Sequence, residues 1–220
     1  MVWISALTLI SVAAALVYGL RATHAPSSPG RTLLKASAVG GLTGIAALSG
    51  APGLLTLALA LGTLGDICLS RRGEAAFLTG LSAFLLGHLA YVGLLAGHGV
   101  GLHAFGPWRG GAAITLVVAA WLILARLMPH LGPMRLPVLV YGAVIVCMGL
   151  AALTLPSSWP IVLAMLGAAA FIASDAILGF ELFTPKPATP PRWPATVLWF
   201  LYWAGQALIL LAFTLQPGGA

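Results

Sequence analysis

Charged residues are scarce in this chain: they make up 6% of its 220 residues, and only four of them are acidic. A soluble domain carries roughly 25% charged residues, whereas here 60% of residues are hydrophobic and the mean hydropathy is +1.06. No polar stretch is long enough to form a separate soluble domain. The composition therefore excludes a soluble globule and predicts one polytopic membrane domain over residues 1–220.

Cysteine is also rare. Cys68 and Cys147 each lie inside an apolar segment, which is typical of small buried side chains and not of a disulfide or a metal site.

The net charge of +6 comes from lysines and arginines in the connections between apolar segments, as in membrane proteins. We therefore expect no nucleic-acid partner, although a basic chain can suggest one.

Eight apolar segments of about 17–22 residues are long enough to cross a bilayer. Clusters of proline and glycine such as GAPG, PHLGP and PSSWP separate them, and such clusters mark turns. The sequence therefore predicts an all-α fold of eight transmembrane helices. The predicted spans are Val2–Leu20, Leu33–Ser49, Gly53–Ser70, Ala75–Ala96, Gly111–Met128, Leu136–Leu155, Pro160–Phe180 and Pro194–Leu215.

Lysine and arginine lie almost entirely on one side of this predicted bundle. Because positive charge marks cytoplasmic loops, the pattern places both termini outside and keeps the first helix as a span, not a cleaved leader. We expect an integral protein of the bacterial inner membrane. Arg109 alone falls on the outer side, against nine on the inner side: Arg21, Arg31, Lys35, Arg71, Arg72, Arg126, Arg135, Lys186 and Arg192.

Asp66 and Asp175 are the two acidic residues inside predicted spans, since Glu74 and Glu181 lie at predicted helix ends. A carboxylate at membrane depth costs roughly 3 kcal/mol on insertion scales, so it indicates a functional site. Both aspartates are predicted near the cytoplasmic ends of their helices. The similar segments GDICL and SDAIL around them lie four helices apart, and suggest a parallel four-plus-four repeat that would bring the aspartates together.

Other polar residues are predicted at a similar depth. On the fourth helix, Phe77, Gly80, Phe84, His88 and Tyr91 share one face within an arc of about 80°. Because lipid cannot satisfy hydrogen bonds, polar side chains at this depth should point into the bundle. The candidate cluster is Lys35, Asp66, His88, Tyr91, Tyr141, Ser174, Asp175, Tyr202 and Gln206.

Purely structural roles stay open for these residues. An aspartate near a helix end can pair with Lys35 or Arg71, and Ser174 can bond back to a carbonyl of its own helix. His88 can be a hydrogen-bonded link between helices. The tyrosines can be packing residues, and Lys35 can be a charge that anchors its helix.

Two carboxyl groups in a medium of low dielectric constant suggest an acid/base pair, because burial and a second carboxylate each favour the protonated form of one group. A zinc hydrolase needs about three protein ligands, and His88 is the one histidine inside a predicted span. The G-x-S-x-G motif of serine hydrolases and the G-x-G-D motif of intramembrane aspartyl proteases do not occur. Proton-coupled transport stays an alternative, since paired aspartates also serve it.

The order and spacing of these residues resemble the lysoplasmalogenase family of integral membrane hydrolases, also described as YhhN-like. Ala36 follows Lys35 where members of the family often have proline, which is a local departure. The resemblance covers the second to the eighth helix. Its matching elements are Lys35, Gly65-Asp66 with Leu69, the face from Phe77 to Tyr91, Tyr141-Gly142, Ser174-Asp175 with Leu178, and Tyr202 with Gln206.

The resemblance implies hydrolysis of the vinyl-ether bond of lysoplasmalogens, which gives a fatty aldehyde and glycerophosphocholine or glycerophosphoethanolamine. One aspartate would protonate the vinyl carbon, and the other would stabilise the oxocarbenium ion, as paired carboxylates do in glycoside hydrolysis. His88 or a tyrosine would position water, and Lys35 with Arg71 would bind the phosphate. We expect a lysophospholipid as partner and neither metal nor cofactor. The alternative is a proton-coupled transporter or binding protein for lipids or small solutes.

Overall fold

The computed structural model describes residues 2–101, 106–158 and 160–215. Within these ranges the chain forms eight α-helices and no strand, and a π-helical turn, Tyr18–Ala22, extends the first helix. The all-helical fold predicted from the sequence is confirmed. The helices are α1 Val2–Val17, α2 Pro29–Leu48, α3 Gly53–Leu69, α4 Glu74–Gly97, α5 Pro107–Leu127, α6 Arg135–Leu153, α7 Val162–Phe183 and α8 Trp193–Thr214.

Six helical segments in the described part of the chain are long and apolar enough to cross a membrane. They contain α1, α4, α5, α6, α7 and α8, whereas α3 is apolar but has 17 residues. The eight-span topology, the outward orientation of both termini and the internal repeat therefore stay predictions.

Two helices begin earlier than their apolar segments predict. The α2 helix starts at Pro29, and the Ser28 side chain before it accepts a hydrogen bond from the backbone of Arg31. The α5 helix likewise starts with Pro107 in its first turn. Serine at the N-cap and proline in the first turn are favourable there, so each helix includes a polar first turn that a count of apolar residues leaves out.

The α1 helix is fixed to the bundle by hydrogen bonds from two tryptophans of α8. Trp199 Nε1 donates to the Ala15 carbonyl at 2.9 Å, and Trp203 Nε1 donates to Ser11 Oγ at 3.1 Å. Ser11 is buried and its hydroxyl donates in turn to the carbonyl of Ala38 on α2. A buried polar group must find a partner, so this chain of bonds sets how α1, α2 and α8 pack.

The backbones of α7 and α8 approach closely at a pair of glycines. A Cβ atom at Gly205 would lie 2.8 Å from the Gly167 carbonyl oxygen and 3.0 Å from the backbone nitrogen of Phe171. Similarly, a Cβ atom at Gly87 of α4 would lie 3.3 Å from the Ala58 carbonyl oxygen of α3. These contacts bring α7 against α8 and α3 against α4, and so place the segments that carry the two aspartates.

Gly205→Val is expected to lower the midpoint of thermal unfolding in detergent. The added side chain would force α7 and α8 apart, and such overpacking costs about 1–3 kcal/mol. The matched control is Gly111→Val on α5, since a Cβ atom there would meet nothing within 4 Å. Equal unfolding midpoints for the two variants would contradict the close α7–α8 contact.

Arg109 is buried, although the sequence placed it in a connection between spans. Its side chain donates to the Leu153 and Leu155 carbonyls at 2.8 and 2.7 Å and to Ser157 Oγ at 2.6 Å. The last carbonyls of a helix lack partners within it, and a cation is favourable at this end of the helix dipole. Arg109 therefore caps the C-terminal end of α6.

Candidate active site

The polar residues of the candidate cluster converge between α2, α3, α4, α6, α7 and α8. Most of these residues are buried. The exposed fraction of the side chain is 1% for Asp66 and 7% for Asp175. Lys35 is more open, with 18% of its side chain exposed. The inward orientation that the sequence predicted is confirmed for Asp66, His88, Tyr91, Ser174, Tyr202 and Gln206.

Asp66 near the end of α3 has one cationic and one hydroxyl partner. Lys35 Nζ lies 2.7 Å from Oδ1, and the Tyr202 hydroxyl donates to Oδ2 at 2.8 Å. Lys35 comes from α2 and Tyr202 from α8, so three helices meet at this carboxyl group. A buried carboxylate is retained in proteins when it is paired and hydrogen-bonded, and Lys35 and Tyr202 are partners of this kind for Asp66.

Asp175 on α7 has a different set of partners. The Tyr141 hydroxyl donates to Oδ2 at 2.9 Å, and His88 Nε2 lies 3.2 Å from the same oxygen. The Ser174 hydroxyl donates to the Phe171 carbonyl at 2.7 Å and lies 3.4 Å from Asp175 Oδ1. Asp175 therefore meets an imidazole where Asp66 meets an ammonium group, and Ser174 bonds mainly to its own helix.

The hydrogen bonds of His88 assign one of its protons. Its Nδ1 lies 2.8 Å from the Phe84 carbonyl oxygen, which can only accept, so Nδ1 carries a hydrogen. Its Nε2 lies 3.2 Å from Asp175 Oδ2 but makes no hydrogen bond among the described residues. The imidazole of His88 and the carboxyl group of Asp175 are thus neighbours at a distance that suits proton exchange.

Aromatic rings fix the orientation of the imidazole. The His88 ring centroid lies 4.7 Å from that of Phe171 and 5.3 Å from that of Tyr141. Phe171 also makes an edge contact with Tyr202 at 5.3 Å. Phe171 therefore contacts both His88, which is a partner of Asp175, and Tyr202, which is a partner of Asp66.

Tyr91 and Gln206 lie in a layer behind the aspartates. The Tyr91 hydroxyl donates to Gln206 Oε1 at 3.5 Å, and Gln206 is 0% exposed. Gln206 Nε2 has no hydrogen-bond partner among the described residues. A Cβ atom at Gly62 would lie 3.0 Å from Gln206 Oε1, so α3 approaches the amide closely. These two residues line neither of the cavities described next.

A small cavity of about 50 Å³ is lined by both aspartates, and it is named the polar cavity for the charged side chains on its wall. Lys35 and Tyr202 contribute to its wall beside Asp66, and Ser174 contributes beside Asp175. His88 lies behind Asp175, and Arg71 is exposed at the end of α3 and lines no part of this cavity. The remaining wall is apolar or aromatic and consists of Leu69, Phe84, Leu178, Leu198 and Trp199.

Trp199 is a site residue that the sequence reasoning missed. Its ring is 1% exposed, lines the polar cavity and lies 6.0 Å from Lys35 Nζ. It precedes Tyr202 by three residues on α8, so the two share a face, and this spacing is the signal that was available. Its bond to Ala15 is between distant parts of the chain, which no local pattern indicates.

A larger apolar cavity of about 140 Å³ lies beside the polar one, between α3, α4, α5, α6 and α7. Leu69, Phe84, Asp175 and Leu178 line both cavities. Among the described residues, no group of three His, Cys, Asp or Glu side chains is arranged as metal ligands. The site thus offers two carboxyl groups with different partners at the junction of a polar and an apolar space.

Comparison with known proteins identifies the family. Residues 30–213 match the model of the YhhN family. This chain belongs to the YhhN family. The matched segment contains every candidate site residue, whereas α1 lies before it. Together with the long apolar helices, membership in YhhN shows an integral membrane protein.

Curated proteins that are similar to this chain are named lysoplasmalogenase. The human protein named lysoplasmalogenase TMEM86B is 32% identical over 165 residues, which are 74% of this chain and 65% of the human protein. Lysoplasmalogenases of Mycobacterium bovis and Mycobacterium tuberculosis are each 35% identical over 147 residues, 63% of this chain and 51% of theirs. This chain thus spans less than two thirds of each relative's length. No solved structure matches it significantly.

Proposed function

We propose that this YhhN protein hydrolyses the vinyl-ether bond of lysoplasmalogens, releasing a fatty aldehyde and glycerophosphocholine or glycerophosphoethanolamine. The observation that carries the proposal is the position of Asp66 and Asp175 on one cavity with unlike partners. The names of its relatives support the same substrate class. A lipid substrate also fits a site that lies among membrane helices.

In the first step, the His88–Asp175 pair gives its proton to the vinyl carbon that is further from the ether oxygen. The carbon–carbon double bond supplies the electrons of the new C–H bond, and the adjacent carbon becomes an oxocarbenium ion. We assign the proton to this pair because its imidazole and carboxyl group lie 3.2 Å apart, whereas Asp66 faces the ammonium group of Lys35. General acid catalysis of this kind contributes about 10²–10⁴-fold.

Asp66 stabilises the positive charge of the oxocarbenium ion. Lys35 and Tyr202 favour its carboxylate form, and in this proposal its charge is in place before the reaction begins. A preorganised charge in a site that excludes water is more effective than the same charge in water. The two aspartates therefore have separate roles, with the proton on the Asp175 side and the fixed negative charge on the Asp66 side.

Water completes the reaction at the charged carbon. The His88–Asp175 pair, now short of one proton, accepts a proton from the water as its oxygen bonds to that carbon. The resulting hemiacetal then breaks its bond to the glycerol oxygen, which takes up the proton of the hemiacetal hydroxyl. The products are the aldehyde and the glycerol alcohol, and the pair is restored.

The phosphate of the substrate is assigned to Lys35. Its ammonium group is the cation on the wall of the polar cavity and is 18% exposed. Arg71 is exposed and lines neither cavity, because it follows the end of α3, so its role in phosphate binding rests on the family resemblance. The excess of positive charge on one side supports a site in the cytoplasmic half of the inner membrane.

The test is aldehyde release from a lysoplasmalogen by the purified protein in detergent. We expect the vinyl ether to yield fatty aldehyde and glycerophosphocholine or glycerophosphoethanolamine in equal amounts. The saturated ether with the same chain should yield neither product. A parallel reaction with a chelator tests whether a metal is needed. A well-folded protein that releases no aldehyde but carries lysolipid across proteoliposomes in a proton-dependent manner would contradict hydrolysis and support transport.

Lys35→Ala is expected to raise KM about tenfold or more, and to lower kcat less, because a charged hydrogen bond to phosphate contributes about 1.5–3 kcal/mol. Lys35→Arg keeps the charge and should restore most of the affinity. Steady-state kinetics on a lysoplasmalogen series with and without the phosphate group would check this. If Lys35→Ala changes KM and kcat by the same factors for the substrates with and without phosphate, Lys35 acts through Asp66 and does not bind the phosphate.

A further inference from the structure

The apolar cavity has the properties of a binding site for one aliphatic chain. Its volume is about 140 Å³, and it lies between five helices, α3 to α7. Tyr141 and Asp175 are the polar side chains on its wall, and both are at the end where it meets the polar cavity. A cavity lined in this way favours an apolar ligand that carries one reactive polar group.

Small residues make the room for such a chain. The cavity is lined by Ala119 and Ala120 of α5, by Gly142 of α6 and by Gly179 of α7. A Cβ atom at Gly142 would lie 3.4 Å from Leu124, and one at Gly179 would lie 3.1 Å from Leu127. Larger side chains at these positions would therefore reduce the space between α5, α6 and α7.

The cavity is long enough to hold a substantial part of a fatty chain. On α5 its wall extends from Leu116 to Leu127, eleven residues apart, which is about 16 Å at 1.5 Å per residue. On α7 the wall continues from Ile172 past Asp175 to Phe183. Asp175 thus lies near the Ile172 end of this wall, so one end of a chain in the cavity reaches its carboxyl group.

The two cavities meet at the walls that they share. Leu69, Phe84 and Leu178 belong to both cavities, as does Asp175. A single-chain lipid that spans both cavities would place its chain in the apolar cavity and its headgroup towards the polar one. The bond that joins chain and headgroup then lies beside Asp175.

We infer that the apolar cavity binds the aliphatic chain of the substrate and that the residues of α5, chiefly Ala119 and Ala120, set which chain lengths bind. The position of the scissile bond beside Asp175 rests on the proposed function. Binding of the aliphatic chain can be tested without any reaction. Each buried methylene contributes roughly a fourfold gain in affinity. Long chains should therefore bind more tightly than short ones until the cavity is full.

The probes are the saturated ether lysolipids with an octyl or a hexadecyl chain and an ethanolamine headgroup. They lack the double bond that accepts the proton, so they report binding without reaction. Their affinity for the purified full-length protein is measured with correction for partition into detergent. The variants Ala120→Phe and Ala119→Phe fill the cavity. The control is Val118→Phe, on the same helix but 48% exposed and off the cavity wall.

The wild type and Val118→Phe are expected to prefer the hexadecyl probe by at least about tenfold. Ala120→Phe and Ala119→Phe should lose most of that preference, keep their affinity for the octyl probe and keep their unfolding midpoints. Hexadecyl binding that is equal in all four proteins would overturn the inference, because the chain would then lie in the surrounding lipid. Probe binding by a protein that releases no aldehyde would support the chain site and separately refute the proposed hydrolysis.

Discussion

Asp175→Asn is expected to lower kcat for aldehyde release about 10³-fold. Asparagine keeps the shape of the side chain and can still accept the hydrogen bond from Tyr141, but it removes the acid from the pair that donates the proton. Loss of a general acid costs about 10²–10⁴-fold. Single-turnover kinetics on a lysoplasmalogen would measure the chemical step apart from binding and product release.

The matched control is Glu181→Gln on the same helix. Glu181 pairs with Lys186 at 2.7 Å at the end of α7, where its side chain is 33% exposed. An exposed ion pair contributes little, so this variant should keep normal kcat. Activity within a few-fold of wild type in Asp175→Asn, with normal binding of the saturated ether, would remove Asp175 from proton transfer.

Asp66→Asn is expected to lower kcat about 10²–10³-fold with a smaller change in KM, because fixed charges that stabilise a transition state contribute on this scale. The asparagine can still accept a hydrogen bond from Tyr202, so the effect isolates the loss of charge. Glu74→Gln, in the exposed first turn of α4, is the control carboxylate. The measurement is kcat and KM for both variants on one lysoplasmalogen.

Asp66→Asn also leaves Lys35 without its ionic partner. If the carboxylate serves only to hold Lys35 in place, the variant should raise KM as Lys35→Ala does and leave kcat nearly unchanged. A fall in kcat at unchanged KM would instead indicate charge stabilisation in the transition state. Whether Asp66→Asn changes mainly kcat or mainly KM therefore decides whether Asp66 acts on the reacting carbon or through Lys35.

The helices could be predicted from the sequence because apolar length and proline or glycine punctuation act locally. The α3 helix begins at Gly53, as predicted, and the end of α7 at Phe183 lies three residues beyond the prediction. The polar first turn of α2 was missed, since its residues are stabilised by the N-cap at Ser28 and not by lipid. Burial of Arg109 was missed as well, because its carbonyl partners belong to the end of another helix.

The residues that form the site could also be predicted from the sequence, but which of them contact each other could not. Depth and helix face placed Asp66, Asp175 and His88 in one cluster, and burial of these side chains follows from the lack of hydrogen-bonding partners in lipid. Which aspartate faces Lys35 and which faces His88 depends on the packing of helices distant in sequence. The structure pairs them as Lys35–Asp66 and His88–Asp175.

Each aspartate depends on a helix from the other half of the chain. Asp66 on α3 receives its hydroxyl partner, Tyr202, from α8, whereas Asp175 on α7 receives His88 from α4. The site is therefore complete only when the two halves pack together. The four-plus-four repeat that the sequence suggests stays a prediction.

The central claim is that a proton is added to the vinyl carbon inside the site. The most direct measurement is hydrolysis of a lysoplasmalogen in heavy water, with the aldehyde reduced to the alcohol as it forms and authentic aldehyde as a control for exchange. The account predicts one deuterium on the carbon next to the former carbonyl, in a single configuration, because the His88–Asp175 pair approaches one face. An alcohol without deuterium, or with deuterium in both configurations, would contradict it.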